Sequence, residues 1–292
     1  MNMFLQQLVT GISIGSVYAL LAVGYALVFS VFNFSNFGFG PVMMLGAFAA
    51  FYAIPALNLP LFPSILLAMV VAGLVSFIME LTVYRPMRQK KTLKLYLMIA
   101  GLGMNTFVPN AAIQIFGGGV HAFPSDWARV TIQMGGVAVP RADILAAVLS
   151  ILMLAGLWIF LYNTRMGLGI RASSFDTNTA SLMGINVNFV AMIVFLLSGA
   201  AAGLAGCFYG MKYSVFPSMG AIANKGFVAA TIGGLGSLTG AVISGLLLGF
   251  LETMIAGYVS STYRDLIAYA MLVIVLIFMP NGILGKGMHD KI

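Results

Sequence analysis

The chain has 292 residues, of which 61% are hydrophobic and only 7% charged, against roughly 25% charged in an average soluble domain. Its 14 basic and 7 acidic residues are too few to coat a soluble protein of this size, and a mean hydropathy of +1.04 points the same way. A soluble domain, a disordered chain and a nucleic-acid-binding protein are excluded despite a pI near 9.6, and the reading is an all-α polytopic membrane protein.

The N-terminus, Met1-Asn2-Met3-Phe4, lacks the basic region of a cleavable signal, so the first apolar run is expected to stay as a span. A span needs about 20 apolar residues to cross roughly 30 Å of hydrocarbon. On that basis the candidates are 8–31, 37–55, 61–84, 95–116, 142–163, 187–212, 239–257 and 264–281, with a shorter apolar piece at 226–236. Lipid offers backbone groups no water, and the alternation of a membrane barrel is absent, so these pieces are expected to be helices. Cys207 stands alone, which rules out an intrachain disulfide or a zinc cluster.

Orientation follows from basic loops. Residues 85–94 carry Arg85, Arg88, Lys90, Lys91 and Lys94 without an acid, which places them in the cytoplasm. Arg165 and Arg171 in the loop 164–186, and Lys286 and Lys291 in the tail, agree. The segment 117–141, with Pro124, Trp127 and Pro140, then faces outside. With loop 164–186 and the tail both inside, 226–236 must be a short span or half of a broken helix. Phe37–Pro41 and Gly226–Gly240 are both glycine-interrupted apolar stretches, although their similarity is too weak to define a repeat.

Several residues are candidates for chemistry. The pairs Gly11/Gly15, Gly199/Gly203, Gly206/Gly210 and Gly245/Gly249 have the four-residue spacing of close helix packing. The run Gly233–Gly240 lacks a following Lys and a preceding strand, and no Walker pattern occurs anywhere, so the chain is not expected to bind ATP by that route. It is read as a helix break and not as an enzyme motif. Glu80 and Glu252 are the intramembrane acids. Glu80 is expected to pair with Arg85 at the interface, and Glu252 to find a partner on another helix or take up a proton. Of the two histidines, His121 falls in a loop and His289 in the tail, with no His/Asp/Glu cluster for a metal. The uncharged polar residues Tyr18, Asn36, Asn105, Thr106, Asn110 and Gln114 sit inside spans, where each needs a partner or water. The dense set in the fourth span fits a polar pathway, with interhelical hydrogen bonding as the competing reading.

The loop 164–186 is the most informative soluble piece. Ser174–Gly184 reads as one short helix, capped by Ser173 or Ser174, with Asp176 complementing its dipole and Gly184 ending it. Phe175, Thr179, Leu182 and Met183 share one face. An apolar face this short cannot fold alone, and its polar side lacks the Lys or Arg of a lipid-lying helix. A protein partner is the preferred occupant.

These residues together resemble a family, the permease subunits of bacterial branched-chain amino acid ABC importers. The resemblance spans nearly the whole chain. It rests on Gly15-Ser16-Val17-Tyr18-Ala19-Leu20 with Gly24-Tyr25, and on Glu80 with Tyr84-Arg85-Pro86. It continues in Arg165-Met166-Gly167, Arg171-Ala172 and Ala180–Asn186, in Gly233–Gly240, and in Pro280–Gly285. The family usually shows a small residue, His, Gly and Glu after Asn36-Phe37; here Gly38-Phe39-Gly40-Pro41 stands instead, which leaves the permease assignment but weakens the amino-acid one.

The resemblance implies a single permease domain over 1–292, of about eight or nine spans with broken glycine-rich helices. Its coupling loop would lie at 164–186, with Arg165, Gly167, Arg171, Phe175, Asp176, Ala180, Leu182 and Gly184 as coupling residues. It further implies residence in the bacterial inner membrane, two cytoplasmic ATPases that use ATP, a second homologous permease and a periplasmic substrate-binding protein. No cofactor would be bound by this chain. Import of branched-chain or other hydrophobic amino acids is the expected function; the alternatives are a permease for urea or short amides and a stand-alone secondary transporter.

Overall fold

The computed structural model describes residues 2–90, 92–124, 130–134 and 137–285. The sequence expectations for Lys91, Trp127, Lys286, His289 and Lys291 lie outside them.

The first helix, α1 (Asn2–Phe32), is exposed over its first turns but buried on nearly all sides from Ser13 to Val28, so it forms the centre of the bundle. After a break at 33–38 come α2 (Phe39–Leu57) and α3 (Leu61–Met79). The latter continues through a π-helical turn, Glu80–Tyr84, into α4 (Arg85–Gln89). Next are α5 (Lys94–Phe116) and an antiparallel hairpin, β1 (Thr131–Met134) with β2 (Val137–Pro140), which the all-helical reading did not contain. The long α6 (Arg141–Asn163) leads into two short helices, α7 (Arg165–Phe175) and α8 (Thr177–Leu182). The last third holds α9 (Val187–Lys212), a 3-10 turn (Pro217–Ile222), α10 (Ala223–Gly233), α11 (Leu238–Tyr258), a 3-10 turn (Ser261–Tyr263) and α12 (Arg264–Phe278).

Seven helices among the described residues are long and apolar enough to cross a membrane. The expected span 95–116 corresponds to α5, which has the length, 23 residues, but falls outside that apolar group. The short piece 226–236 is resolved as α10, whose 11 residues reach only about 16 Å at 1.5 Å each. It is half of a broken helix. Its C-terminal end stops at Gly234, whose φ of +102° a side chain would strain.

Small residues draw the helices together, because lipid supplies no hydrophobic force between them. A Cβ added to Gly15 would lie 2.9 Å from the backbone of Leu246, and one on Gly245 2.5 Å from Ala19, which seals α1 antiparallel to α11. The equivalent seam joins α9 to α3, with Gly199 against Ala72 and Ser76, and Gly203 against Ala72. The pairing of α1 with α11 and α10 is thus mirrored by that of α9 with α3 and α2, and α5 relates to α2 as α12 does to α10. This is the contact pattern of an inverted repeat, which the sequence similarity was too weak to define.

The contacts also carry the orientation around the bundle. With Arg85, Arg88 and Lys90 inside, the antiparallel partner α9 must end outside. There Lys212 pairs with Asp143 at the start of α6, and Val215 bridges to His121. Ser13 of α1 donates to the same Asp143 at 2.9 Å, so the N-terminal half of α1 belongs at the outer side. The N-terminus carries no charge to decide this by itself.

Candidate transport pathway and coupling surface

The site begins where α1 stops. Asn33 takes a left-handed φ of +52° and the chain folds back through buried Ser35 and Asn36. The Asn36 Oδ1 accepts from the Gly38 N–H at 3.0 Å and from the Tyr84 hydroxyl at 2.5 Å. Asn36 therefore staples the break, while its Nδ2 stays buried without a partner. Immediately beyond, Gly40 lies against Gly220 so closely that a Cβ on Gly40 would be 2.5 Å from the Gly220 carbonyl oxygen and 3.0 Å from the Asn105 Oδ1. The start of α2, the turn before α10 and the middle of α5 thus meet at one point. An aromatic chain backs it: Phe39 to Tyr25 at 4.8 Å between centroids, Tyr25 to Phe227 at 5.6 Å, and Phe227 to Phe37 at 5.4 Å.

Asn105 faces that point, while Thr106, Asn110 and Gln114, four residues apart, form a polar stripe on the side of α5 turned away from it. Asn105 is half-buried, whereas Thr106, Asn110 and Gln114 are exposed. The Thr106 hydroxyl donates to the Leu102 carbonyl at 3.2 Å and the Asn110 Nδ2 to the Thr106 carbonyl at 2.7 Å, both within the helix. Only Leu97, Gly101 and Ala112 of α5 are buried. The interhelical hydrogen bonds considered for Thr106 and Asn110 are therefore replaced by bonds inside α5. Tyr18 does not join this face: its hydroxyl donates to Glu252 Oε2 at 2.8 Å.

The two acids have other partners than their neighbours in sequence. Glu80 is ion-paired with Arg88 and not with the expected Arg85. Across the π turn Glu80–Tyr84 and the first turn of α4, eight positions return to the same face. The Arg88 guanidinium also lies over the Phe32 ring, 4.5 Å from its centroid. Glu252 has its partner on another helix, Lys225 of α10, at 2.9 Å. Lys225 also reaches Asp265 at 2.8 Å. Sequence reasoning missed Lys225, Lys212 and Asp143 because all three stand at the edges of apolar stretches, where charges look like loop residues. The short length of 226–236 was the available signal that its flanking lysine is drawn inward. Among the described residues, no group of three or more His, Cys, Asp or Glu side chains gathers as metal ligands.

The loop 164–186 is two helices, not the single helix expected over 174–184. Thr164 caps α7 by accepting from the Gly167 N–H at 3.0 Å. The chain then breaks at Asp176, which caps α8 by accepting from the N–H groups of Asn178 and Thr179 at 3.0 and 3.2 Å. Asp176 and not Ser173 or Ser174 is the cap: Ser173 is buried, and the Ser174 hydroxyl donates back to the Arg171 carbonyl. The Thr179 hydroxyl, together with these two N–H groups, holds the Asp176 carboxyl below the usual aspartate range. Gly184 follows Met183 at φ +87° and ends the segment as expected. Phe175, Leu182 and Met183 are 74, 88 and 81% exposed, so the apolar face is uncovered. Ala180 is buried, Gly167 is buried against the carbonyls of Phe160 and Leu161, Arg165 is exposed, and the Arg171 guanidinium stacks over Tyr162 at 5.0 Å. Between this segment, the end of α1 and Lys94 lies a cavity of about 260 Å³.

The sequence profile described as branched-chain amino acid transport system / permease component matches residues 7–276. The chain is 35% identical to the high-affinity branched-chain amino acid transport system permease protein BraD of Pseudomonas aeruginosa, covering 99% of this chain and 98% of that one. It is 34% identical, over the same shares, to the corresponding LivH protein of Escherichia coli K12. The solved structure of PsaBC from Streptococcus pneumoniae in complex with Fab shares the fold, with a TM-score of 0.51 and 17% identity over 96% of this chain and 93% of that one. By profile and by identity along its whole length, this chain belongs to the family of permease components of branched-chain amino acid transport systems.

Proposed function

We propose that the chain is the membrane-spanning subunit of an ATP-binding-cassette importer of the bacterial inner membrane, carrying branched-chain or other hydrophobic amino acids inward. One observation carries the pathway. The polar stripe of α5 formed by Thr106, Asn110 and Gln114 is open on the surface of this chain, while Asn105, on the bundle side of the same helix, faces the junction of Gly40 with Gly220. Lipid does not accept such a face. It fits an aqueous path completed by a second permease, beginning where α2 and the turn Pro217–Ile222 meet Asn105. Broken helices at such a junction present unpaired backbone groups to a zwitterion.

The bare face of Phe175, Leu182 and Met183 supports docking of cytoplasmic ATPases, two of them by the resemblance, with Arg165, Gly167, Arg171, Asp176, Ala180 and Gly184 shaping the docking helices. A periplasmic binding protein would deliver the cargo and supply most of the selection. The departure at Phe39 and Pro41 bears little on cargo, since both are fully enclosed and Phe39 packs into the space over Gly24. This favours amino acids over urea or short amides. The test is reconstitution in liposomes with the ATPase and permease partners. Labelled leucine should enter only with ATP and the ATPases. Uptake by this chain alone, driven by an ion gradient, would establish the secondary-transporter reading instead.

A further inference from the structure

A lysine in the first turn of a helix is opposed by the helix dipole, and Lys225 is the third residue of α10. It is held there by acids from two other helices. Its Nζ lies 2.9 and 3.1 Å from the two oxygens of Glu252 and 2.8 Å from Asp265 Oδ1. The same Glu252 accepts from the Tyr18 hydroxyl at 2.8 Å, and the ammonium stands 5.7 Å from the centre of the Tyr18 ring. The Lys225 and Glu252 side chains are 15 and 3% exposed, Asp265 71%. One ammonium therefore ties together α1, α10, α11 and α12. Burying such a pair is costly, and a well-packed apolar pair would serve stability as well. The position of the network gives it a different use. Lys225 follows Ile222, the last residue of the turn Pro217–Ile222, by three positions. That turn places Gly220 against Gly40 beside Asn105.

We propose that Lys225 is a positioning residue for transport: held by Glu252 and Asp265, it fixes the depth and rotation of α10, and through it the turn Pro217–Ile222 at the pathway. This rests on the reading that the pathway runs beside Asn105. The experiment uses the complete reconstituted transporter with Cys207→Ala and a reporter cysteine at Ser218, an exposed residue of the turn. Lys225→Met with Glu252→Gln removes both buried charges and leaves neither unpaired. The transporter should assemble with an unchanged melting temperature. Uptake should fall about tenfold or more, because small misplacements at a working site cost that much, and the thiol-labelling rate at Ser218→Cys should change by about threefold or more. Wild-type uptake and labelling in this assembled variant would reduce the network to a fold contact and overturn the proposal.

Should the double variant not assemble, Asp265→Asn carries the test. It spares the buried pair and must still change the labelling rate at Ser218→Cys; an unchanged rate overturns the proposal. Asn105→Leu separates the two readings. Normal uptake in Asn105→Leu beside a failing Lys225 variant removes the pathway assignment and leaves Lys225 as the determinant of the turn. The reverse pattern removes Lys225 alone.

Discussion

Asn36, in the break at 33–38, and Asn105, in α5, are the same residue type near one junction, yet the fold uses them differently. Asn36 commits its carbonyl oxygen to Gly38 and Tyr84 at a helix break, whereas Asn105 stands half-buried on the bundle side of α5, beside Gly40. Replacing Asn105 by leucine should lower ATP-driven uptake while assembly and ATP hydrolysis persist, as measured in proteoliposomes. Normal uptake would leave the α5 residues without a transport role. At Glu80 the expectation is for stability. Removing Arg88 as Arg88→Ala leaves a fully buried carboxylate unpaired, at a cost of about 3 kcal/mol. A lowered melting temperature of the purified permease would show it, and Arg85→Ala should not reproduce it. The pairing was only half legible in sequence, because the π turn that brings residue 88 and not 85 under Glu80 has no signature in residue types.

At the scale of elements, the short helices α7 and α8 hold the clearest expectation. Burying Phe175 and Leu182 on a partner is worth roughly 1.5–3 kcal/mol each. Leu182→Asp should therefore leave the chain in the membrane but lose the co-purifying ATPase and ATP-driven uptake. Full ATPase retention in a pull-down would indicate a lipid-lying segment. The Asp176 cap adds a pH expectation. Its carboxyl titrates below the usual aspartate range, so the cap contributes fully above that range and is lost only as pH falls through the lowered value. ATPase retention should stay flat from about pH 8 to pH 5, with Asp176→Asn as the control. The broken helix α10 is held at its other end by the tail. Ile283 and Leu284 donate to the carbonyls of Ile232 and Gly233 at 2.9 and 3.0 Å, and so occupy two acceptors that a helix end leaves open. Gly282, at φ +80°, packs on Gly234 in that strap. Gly282→Val should destabilise by about 1–3 kcal/mol, read as a lower melting temperature.

At the scale of the whole molecule, length and hydropathy carried the spans, and the basic residues of 85–94 and 164–186 carried the orientation. Eight of the nine apolar stretches correspond to long helices, because a hydrophobic run of 18 or more residues has few alternatives in lipid. What the sequence could not show depends on distance in space. The inverted repeat lives in glycine seams between elements far apart in the chain, and Lys225 meets Glu252 only after α10 turns back into the bundle. The orientation itself is open to single-cysteine labelling in intact cells lacking Cys207. Cysteines at Lys90 and Asp176 should resist an impermeant reagent, and one at Gly119 should react. The most direct measurement of the central claim places a cysteine at Asn110, in the middle of the exposed face of α5. In the assembled transporter a small hydrophilic thiol reagent should modify Asn110→Cys and block uptake, saturating leucine should protect it, and Ile151→Cys, among the exposed apolar residues of α6, should be indifferent. A cysteine at Asn110 that stays unreactive, or is modified without loss of uptake, would contradict a pathway along α5.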